Sequence, residues 1–466
     1  MPKSVFQPPR GTRDFLPEEV EFRRSIEQKI RETFERYGFR EVITPIFEHF
    51  ELYSARSGEE IREEMYVFRG KRRERGRPPE YVLRPELTAP ICRMYISGGL
   101  STWPKPVKVY YVGRCFRYDR PGPGRYREFW QAGVELIGSP YPEADAEVIA
   151  LAVDALEAVG LEGYEVRIGH LGVLRGILEE AGLDVYVQNK LIKALDDAVS
   201  DLGKLEVGER LVDGRGNPLT KSDVMANLER QVDALGIGES LKGLILDMVA
   251  LKGEREATME KAREIFKGSE KAQKSLEQLN EILTLLEAYG VKEYLVDLSI
   301  ARGLDYYTGM VFEIDLPRLG AQKQICGGGR YDNLISDYGG PATPATGFAL
   351  GFDRIAEALK TQKKEEKTPQ TTDAIVAAAT DNLRTEAIKI TQELRRQGIK
   401  AETDLMRRSL TNVLSHADKK STRYAIIIGE KEQKQGKITI KDMKTRKQKT
   451  TTLQEAIHII KKKQTI

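Results

Sequence analysis

The alternation of apolar and polar residues is most regular between Val107 and Gly138, where it predicts two strands joined by a turn. The turn is predicted at residues 121–124, a Pro-Gly-Pro-Gly run, because proline and glycine favour turns between strands. Successive side chains on a strand point to opposite faces. The even positions of the second strand are uniformly apolar and are predicted to be buried: Trp130, Ala132, Val134 and Leu136.

The odd face of this hairpin is polar. On the second strand it carries Arg127, Phe129, Gln131, Gly133 and Glu135, and on the first strand it carries Gly113, Cys115, Arg117 and Asp119. This face would suit a small polar ligand, because it combines a cation, an aromatic ring, an amide and a carboxylate with a glycine that leaves space. The alternative is an ordinary amphipathic hairpin with a solvated face, although such a face would favour Lys, Glu and Thr.

The N-terminal pattern predicts a helix followed by an edge strand. Apolar residues four positions apart predict a helix over residues 17–37: Phe22, Ile26, Ile30 and Phe34. A strand is predicted over residues 38–50. Pro45 lies inside it, and proline cannot donate to a central ladder, so this strand is expected at an edge or an interface.

Further along, residues 81–97 predict a short strand that ends at Pro85 and then a helix, with Glu86 and Thr88 at the junction, where backbone N–H groups are unpaired. A helix is predicted over residues 143–160, and residues 172–281 are helical in pattern and charged. Strands are predicted at residues 294–298 and 323–326. Beyond a polar linker, strands alternate with helices, which predicts a small α/β domain.

Composition narrows the class of protein. A chain of 466 residues leaves room for two or three domains, and 40% hydrophobic with 31% charged residues is typical of a soluble globular protein. Three widely spaced cysteines, Cys92, Cys115 and Cys326, argue against a disulfide framework and fit a reducing cytoplasm. We expect neither export nor a membrane span, because no apolar signal core or long apolar run occurs.

Charge is distributed unevenly along the chain. Residues 371–466 hold 21 Lys+Arg and 11 Asp+Glu, a net charge of +10, whereas the remainder has a net charge of −7. A basic module on an acidic body indicates a nucleic-acid partner for that module. A solvated lysine-rich tail would give the same count.

Several familiar motifs are not satisfied. The glycines at 327–329 follow a predicted strand, but Asp332 breaks the dinucleotide-binding pattern, and no phosphate-binding P-loop is present. Residues 167–170 only partly match the HIGH motif of class I aminoacyl-tRNA synthetases. No histidine pairs with a cysteine at zinc-ligand spacing, and no serine or cysteine nucleophile has an evident base.

The polar hairpin resembles motif 2 of the class II aminoacyl-tRNA synthetases. The N-terminal helix and its proline-containing strand resemble motif 1, which forms the dimer interface in that class, and residues 347–354 resemble motif 3. Residues 302–307, RGLDYY, and 327–332, GGGRYD, match the motifs of the histidine-specific family, the histidyl-tRNA synthetases. The C-terminal module is similar to that family's anticodon-binding domain.

This resemblance implies a fold and an activity. The fold is α+β: a class II antiparallel sheet flanked by helices, with a helical insertion and a C-terminal α/β anticodon-binding domain. The implied boundaries are 1–171 and 282–360 for the catalytic domain, 172–281 for the insertion, 361–372 for the linker and 373–466 for the anticodon-binding domain. The implied function is ligation of histidine to tRNA(His) at the expense of ATP, by a cytoplasmic homodimer.

The resemblance also assigns site residues. Arg117 and Arg302 are the expected catalytic residues, on opposite sides of the α-phosphate of ATP. The expected histidine-binding set is Glu86, Thr88, Arg117, Gln131, Glu135, Arg302, Tyr306, Tyr307 and Tyr331. The expected ATP-binding set is Arg117, Asp119, Arg125, Phe129 and Arg354. Mg²⁺ is expected on the ATP phosphates, with no protein ligand assigned. Asp119 stands where the class II pattern usually has Glu.

Three rival functions fit parts of the pattern. One is the regulatory subunit of ATP phosphoribosyltransferase, a related binding protein that lacks the anticodon module and usually has a degraded RGLDYY block. A second is a class II synthetase for another amino acid, such as proline or threonine. A third is a pseudo-synthetase that binds RNA or regulates a kinase, which the intact Arg117, Arg302 and Arg354 disfavour.

Overall fold

The structure is a computed structural model that describes residues 6–57, 59–71, 78–122, 124–206, 208–213, 216–300, 306–362 and 372–462. The chain divides into two compact units, Met1–Lys364 and Glu365–Ile466. Each unit has its own sheet and its own apolar core.

The described residues of the first unit form twelve strands. They are β1 Arg40–Glu41, β2 Phe47–His49, β3 Val67–Arg69, β4 Glu80–Leu83, β5 Val107–Phe116, β6 Glu128–Ile137, β7 Glu165–His170, β8 Lys252–Gly253, β9 Leu295–Asp297, β10 Met310–Asp315, β11 Gln324–Arg330 and β12 Ala345–Gly351. Nine of them form one sheet in the order β1-β5-β6-β12-β11-β10-β7-β9-β8. From β5 to β7 in this order each strand is antiparallel to the next, whereas β1 pairs with β5 and β9 pairs with β7 in parallel.

The predicted hairpin is confirmed as β5 and β6 at the centre of one half of the sheet. Its ladder runs from Val107 opposite Ile137 to Phe116 opposite Glu128. This register puts the odd residues of both strands on one face, as the alternation predicted. That face holds the candidate site.

Twelve α-helices also lie in the part of the first unit that the structure describes. They are α1 Pro17–Arg36, α2 Glu51–Ser57, α3 Thr88–Ser97, α4 Pro142–Val159, α5 Leu171–Glu180, α6 Val185–Glu206, α7 Lys221–Ala234, α8 Glu239–Val249, α9 Arg255–Ile265, α10 Glu270–Ala288, α11 Leu334–Asp337 and α12 Phe352–Gln362. Short 3-10 segments lie at Glu59–Glu64, Leu100–Thr102 and Pro317–Gln322.

Helix α1 covers the even face of the sheet. Its four predicted apolar positions are buried, and the Phe34 ring lies 5.6 Å from that of Tyr110 on β5 and 5.8 Å from that of Phe348 on β12. The even face is therefore an apolar core under helices. The odd face is left available for polar chemistry.

The single strand predicted over residues 38–50 is wrong. The segment forms two short strands in different sheets: β1 pairs with β5, and β2 pairs with β4 in a separate sheet of order β2-β4-β3. The break falls at Pro45, which has no N–H to donate. The carbonyl oxygens of Thr44 and Pro45 instead accept from Arg84 Nη1 at 2.8 and 3.1 Å. The expected edge position is confirmed for β1.

The strand predicted over residues 323–326 is longer than expected. It continues as β11 to Arg330 and includes the three consecutive glycines. The neighbouring strand explains Gly328: a Cβ there would lie under 3.0 Å from the Gly347 carbonyl oxygen and from the Phe312 and Phe348 side chains. A side chain at this position would push the strands apart.

The described residues between 172 and 281 lie mainly in helices α5–α10, as the pattern predicted, with loops between them and with β8, which pairs with β9 at the end of the large sheet. Helix α10 packs along α5 and α4. The boundaries of an insertion at 172 and 281 stay a prediction.

The second unit is an α/β domain, as predicted. Its strands are β13 Ala374–Ala378, β14 Ala401–Thr403, β15 Tyr424–Ile428, β16 Ile438–Asp442 and β17 Gln448–Thr451, in the order β14-β13-β15-β16-β17. Its helices are α13 Arg384–Arg396, α14 Leu410–Lys419, α15 Glu430–Lys434 and α16 Leu453–Lys462, with a 3-10 turn at Asp381–Leu383. Across the described part of both units, no helix is long and apolar enough to span a bilayer.

Candidate active site

A cavity of about 860 Å³ lies on the odd face of the large sheet. Twelve of the thirteen predicted site residues line it: Glu86, Thr88, Arg117, Asp119, Arg125, Phe129, Gln131, Glu135, Tyr306, Tyr307, Tyr331 and Arg354. The thirteenth, Arg302, lies outside the described residues. Segments far apart in sequence therefore meet at one site, although the role of each residue stays a prediction.

Glu135 lies at the buried end of the cavity and is only 1% exposed. Thr88 Oγ1 donates to its Oε1 at 2.8 Å, and the Tyr331 hydroxyl donates to its Oε2. Burial raises the pKa of Glu135 to about 8, although both hydroxyl donors act to lower it. At neutral pH this carboxyl therefore holds its proton more readily than an exposed carboxyl does.

Glu86 occupies the start of helix α3. Its carboxylate accepts from the backbone N–H of Thr88 at 2.5 Å and from that of Ala89 at 3.0 Å, so it satisfies groups that have no partner within the helix. Burial raises the pKa of Glu86 despite these bonds. A cation bound beside it would favour the ionised form.

Cations line the opposite side of the cavity. Arg117 lies with its guanidinium carbon 5.2 Å from the centre of the Phe129 ring, and its Nε donates to the Pro85 carbonyl oxygen at 3.1 Å. Arg125 binds both carboxylate oxygens of Asp119, at 3.0 and 2.8 Å. These contacts leave guanidinium N–H groups of Arg117 available to an anion.

Arg354 is held by the protein on three sides. It donates to the carbonyl oxygens of Gly124 and Gln324, at 3.1 and 2.5 Å, and to the Gln322 side chain at 2.7 Å. Burial, together with the neighbouring Arg117 and Arg125 cations, lowers the pKa of Arg354. Three arginines at one cavity repel each other, so the site favours a polyanion.

Three tyrosines form the wall beside Glu135. The Tyr306 ring lies 4.8 Å from that of Tyr307 and 5.7 Å from that of Tyr331. The Tyr307 ring also fills the space over Gly329, where a Cβ would come within 2.8 Å of it. A glycine is therefore required at position 329 because the Tyr307 ring occupies the space of a side chain. The sequence did not show which neighbour would impose this.

One network at the cavity was not predicted. The Asp353 carboxylate accepts from Arg13 Nη2 at 2.8 Å, from Arg23 Nη1 at 2.7 Å and from the backbone N–H of Trp130 at 2.6 Å. It joins the N-terminal segment, α1, β6 and α12 beside the predicted ATP-binding residues. Residues 130 and 353 are far apart in sequence, so no local pattern signals this contact.

The HIGH-like residues 167–170 have a structural role. They lie in β7, where Arg167 is buried and pairs with Asp297 at 2.7 Å, with Asp315 at 3.0 Å and with Glu313. These ion pairs join β7 to β9 and β10. The partial match to the HIGH motif therefore has a structural explanation.

Comparison with protein families gives two matches. The model for histidyl-tRNA synthetase matches residues 11–355, and the model for an anticodon-binding domain matches residues 373–463. Among curated proteins, the chain is 43% identical to a histidine–tRNA ligase of Methanocaldococcus jannaschii, over 97% of this chain and 98% of that protein. It is 41% identical to the same enzyme of Archaeoglobus fulgidus, at the same coverage of both chains.

Solved structures give a consistent result. A histidyl-tRNA synthetase from Nostoc matches with a TM-score of 0.75 and 25% identity, over 99% of this chain and all of that one. A Bacillus halodurans protein, described as an ATP phosphoribosyltransferase regulatory subunit/histidyl-tRNA synthetase, matches with a TM-score of 0.71 and 27% identity, over 91% and 98% of the chains. Because a family model spans most of the chain and relatives above 40% identity span nearly all of it, the chain belongs to the histidyl-tRNA synthetase family.

Proposed function

We propose that this protein is a histidine–tRNA ligase that activates histidine with ATP and then transfers it to the 3′ end of tRNA(His). The observation that carries the proposal is the cavity itself. It brings a buried carboxyl group and tyrosines to one end and three arginines to the other, which matches an amino acid with an imidazole side chain joined to a nucleotide.

The first step joins two anions, so cations must offset their repulsion. The histidine carboxylate attacks the α-phosphate of ATP, and pyrophosphate leaves. Arg117 is suited to hold both groups, because a guanidinium offers N–H donors in a planar fork. We assign the adenine to the face of Phe129, and the β- and γ-phosphates to Arg125 and Arg354. Asp119 orients Arg125 through its two hydrogen bonds.

ATP enters as its magnesium complex, and the phosphates hold the ion. Among the described residues, no group of three or more histidine, cysteine or acidic side chains could hold a metal. The three carboxylates that we assign to the substrates have protein partners: Glu86 accepts from the start of α3, Glu135 accepts from Thr88, and Asp119 accepts from Arg125. The donor set therefore suits a substrate-borne ion rather than a protein cage.

Histidine is selected at the Glu135 end. Its ammonium needs acceptors, which Glu86, Thr88 and Gln131 supply. Its two ring nitrogens need partners, and we assign these to Glu135 and Tyr307, with Tyr306 and Tyr331 as walls. A site that hydrogen-bonds both nitrogens rejects isosteres strongly, because its buried polar groups would otherwise be left unpaired.

The test is ATP–pyrophosphate exchange with each of the twenty amino acids. Histidine alone should support exchange, and charging should follow with tRNA(His). Exchange with proline or threonine would indicate a different class II specificity. No exchange with any amino acid, in a protein that is folded, would favour a regulatory subunit or a pseudo-synthetase.

The basic module is proposed to dock on the anticodon region of tRNA(His). Its net charge of +10 suits contacts to phosphates, and these contacts are lost as salt competes. The family match over residues 373–463 supports the same role. We propose domain boundaries at 171, 281, 360 and 372 for the catalytic parts, the insertion and the linker.

The protein is proposed to act as a homodimer in the cytoplasm. Ile43, Ile46 and Phe47 are large apolar residues exposed between β1 and β2 or at the start of β2, and Ile43 is 83% exposed. Such a patch favours a protein partner, and a second copy of this chain fits the family resemblance. The three cysteines are buried, and none of them forms a disulfide within the described part of the chain, which suits a reducing compartment.

A further inference from the structure

A buried tyrosine beneath the predicted histidine pocket has no role in the function proposed so far. Tyr111 lies on β5, and it is directly opposite Gly133 on β6. Only 2% of Tyr111 is exposed, and its hydroxyl has no hydrogen-bond partner among the described residues. Buried polar groups are nearly always paired, so this exception requires an explanation.

The register places Tyr111 on the face that holds the site. Directly opposite residues share a face, and Glu135 is two residues beyond Gly133, so Tyr111 and Glu135 are diagonal neighbours. Gly133 gives the ring its space: a Cβ there would lie under 3.0 Å from the Tyr111 hydroxyl oxygen, the ring carbon that carries it and the Phe348 carbonyl oxygen. Because Gly133 has no side chain, the Tyr111 hydroxyl can lie over Gly133, between Gln131 and Glu135 on the site face of β6.

The polar groups around Tyr111 are those that we assign to histidine. Burial raises the pKa of Tyr111 well above its usual value, the Glu135 and Glu86 carboxylates act in the same direction, and the nearby Thr88 hydroxyl acts to lower it. The hydroxyl therefore keeps its proton and is a donor. Thr88 already donates to Glu135 at 2.8 Å, so a rotation of either side chain would offer the hydroxyl an acceptor.

We propose that Tyr111 is a positioning residue, whose hydroxyl holds Thr88 and Glu135 in their histidine-binding arrangement. The inference rests on the proposed function. In the ligand-free protein the hydroxyl is an unpaired buried group. When an imidazole N–H engages Glu135, the Thr88–Glu135 pair shifts and the Tyr111 hydroxyl gains an acceptor. Binding of histidine then includes the gain of a hydrogen bond that the free protein lacks.

The test is Tyr111→Phe, which removes the hydroxyl and keeps the ring. Two buried tyrosines serve as matched controls. Tyr95→Phe removes another buried hydroxyl without a partner, on α3. Tyr110→Phe removes the neighbouring hydroxyl on β5, which faces the other side of the sheet and donates to Glu35. For each variant we would measure KM for histidine and for ATP in pyrophosphate exchange, and Tm with and without histidine.

For Tyr111→Phe we expect KM for histidine to rise roughly tenfold, the effect of one hydrogen bond, while KM for ATP and kcat stay within about twofold. Its Tm without ligand should be equal to or above that of the parent, because no existing bond is lost. The increase in Tm on adding histidine should be smaller than in the parent and in Tyr95→Phe.

Three outcomes would overturn the inference: an unchanged KM for histidine, an equal rise in KM for both substrates, or a clear fall in the ligand-free Tm. A parent protein that gains no Tm from histidine would instead contradict the proposed function. The two failures are therefore distinguishable.

Discussion

At the scale of single residues, Glu135 is expected to affect both the stability of the protein and its binding of histidine. It is almost fully buried, and its pKa is raised to about 8 by that burial. A buried group with a shifted pKa beside tyrosines and a helix start is a common sign of a functional site. Substitution of Glu135 is therefore predicted to change histidine binding and protein stability, and each effect can be measured separately.

Glu135→Gln should weaken histidine far more than ATP. The amide keeps the shape but cannot ionise when the imidazole N–H binds. We expect KM for histidine in pyrophosphate exchange to rise at least tenfold, with KM for ATP changed by less than about threefold. An equal loss for both substrates would indicate a misfolded site instead.

The same substitution should stabilise the ligand-free protein at alkaline pH. The folded-state pKa is about 8, against an ordinary value of 4.5, so the folded protein holds a proton that the unfolded chain releases. Parent stability should therefore fall as pH rises from 4.5 to 8, and Glu135→Gln should not share this loss. The difference in Tm between variant and parent should be larger at pH 8.5 than at pH 5. Glu32→Gln, at an exposed position on α1, is the control and should show no such trend.

Arg302 is the predicted transition-state cation, because it begins the RGLDYY block and the resemblance puts it across the α-phosphate from Arg117. Arg302→Ala should lower the rate of histidine activation by roughly 100-fold to 1,000-fold, with little change in histidine affinity. Pre-steady-state formation of the adenylate measures this directly. Activation at a near-normal rate would refute the role.

At the scale of elements, the chain between α1 and α2 shows how a proline can divide one predicted strand into two. The apolar pattern continues through residues 38–50, but Pro45 and the Arg84 contacts divide it between two sheets. Ile43 and Ile46 between the two short strands, and Phe47 at the start of β2, are left exposed. This arrangement suits an interface better than an interior strand.

The exposed patch gives a prediction about assembly. Ile43→Asp should shift the protein from dimer to monomer, because a buried unpaired carboxylate at an interface costs far more than an exposed one. Sedimentation equilibrium would measure the change. Ile388→Asp is a matched control, since Ile388 is a 57% exposed isoleucine on α13 in the second unit. A variant at Ile43 that stays dimeric would exclude this patch as the dimer interface.

At the scale of the whole molecule, the two units carry different chemistry. The cavity lies entirely within the first unit, and the strongly basic segment begins at residue 371 in the second. Each unit has its own buried core. Amino-acid activation and tRNA docking should therefore be separable.

Truncation after Lys360 should retain histidine-dependent pyrophosphate exchange and lose most tRNA charging, provided that the shortened protein is folded and dimeric. Binding of tRNA(His) by the full chain should weaken steeply with salt, because phosphate contacts dominate. Full charging by the truncated protein would contradict the assignment of the second unit as the docking domain.

The sequence by itself determined the features that depend on local order. The amphipathic stripe of α1, the hairpin turn, the buried even face of β6 and the α/β pattern of the second unit follow from spacing and from the conformational limits of proline and glycine. The motifs that resemble a known family also indicated which residues would meet, since twelve of the thirteen candidates line one cavity, while their roles stay predictions.

Only the tertiary structure decided the contacts between distant segments. The Asp353 network, the Arg167 ion pairs and the unpaired Tyr111 hydroxyl depend on which strands are neighbours, and no local pattern encodes that order. The glycines Gly328 and Gly329 of β11 are required because neighbouring residues occupy the space that their side chains would fill. The pKa of Glu135 is likewise a property of its burial rather than of its position in the chain, since the same carboxyl in water would ionise normally.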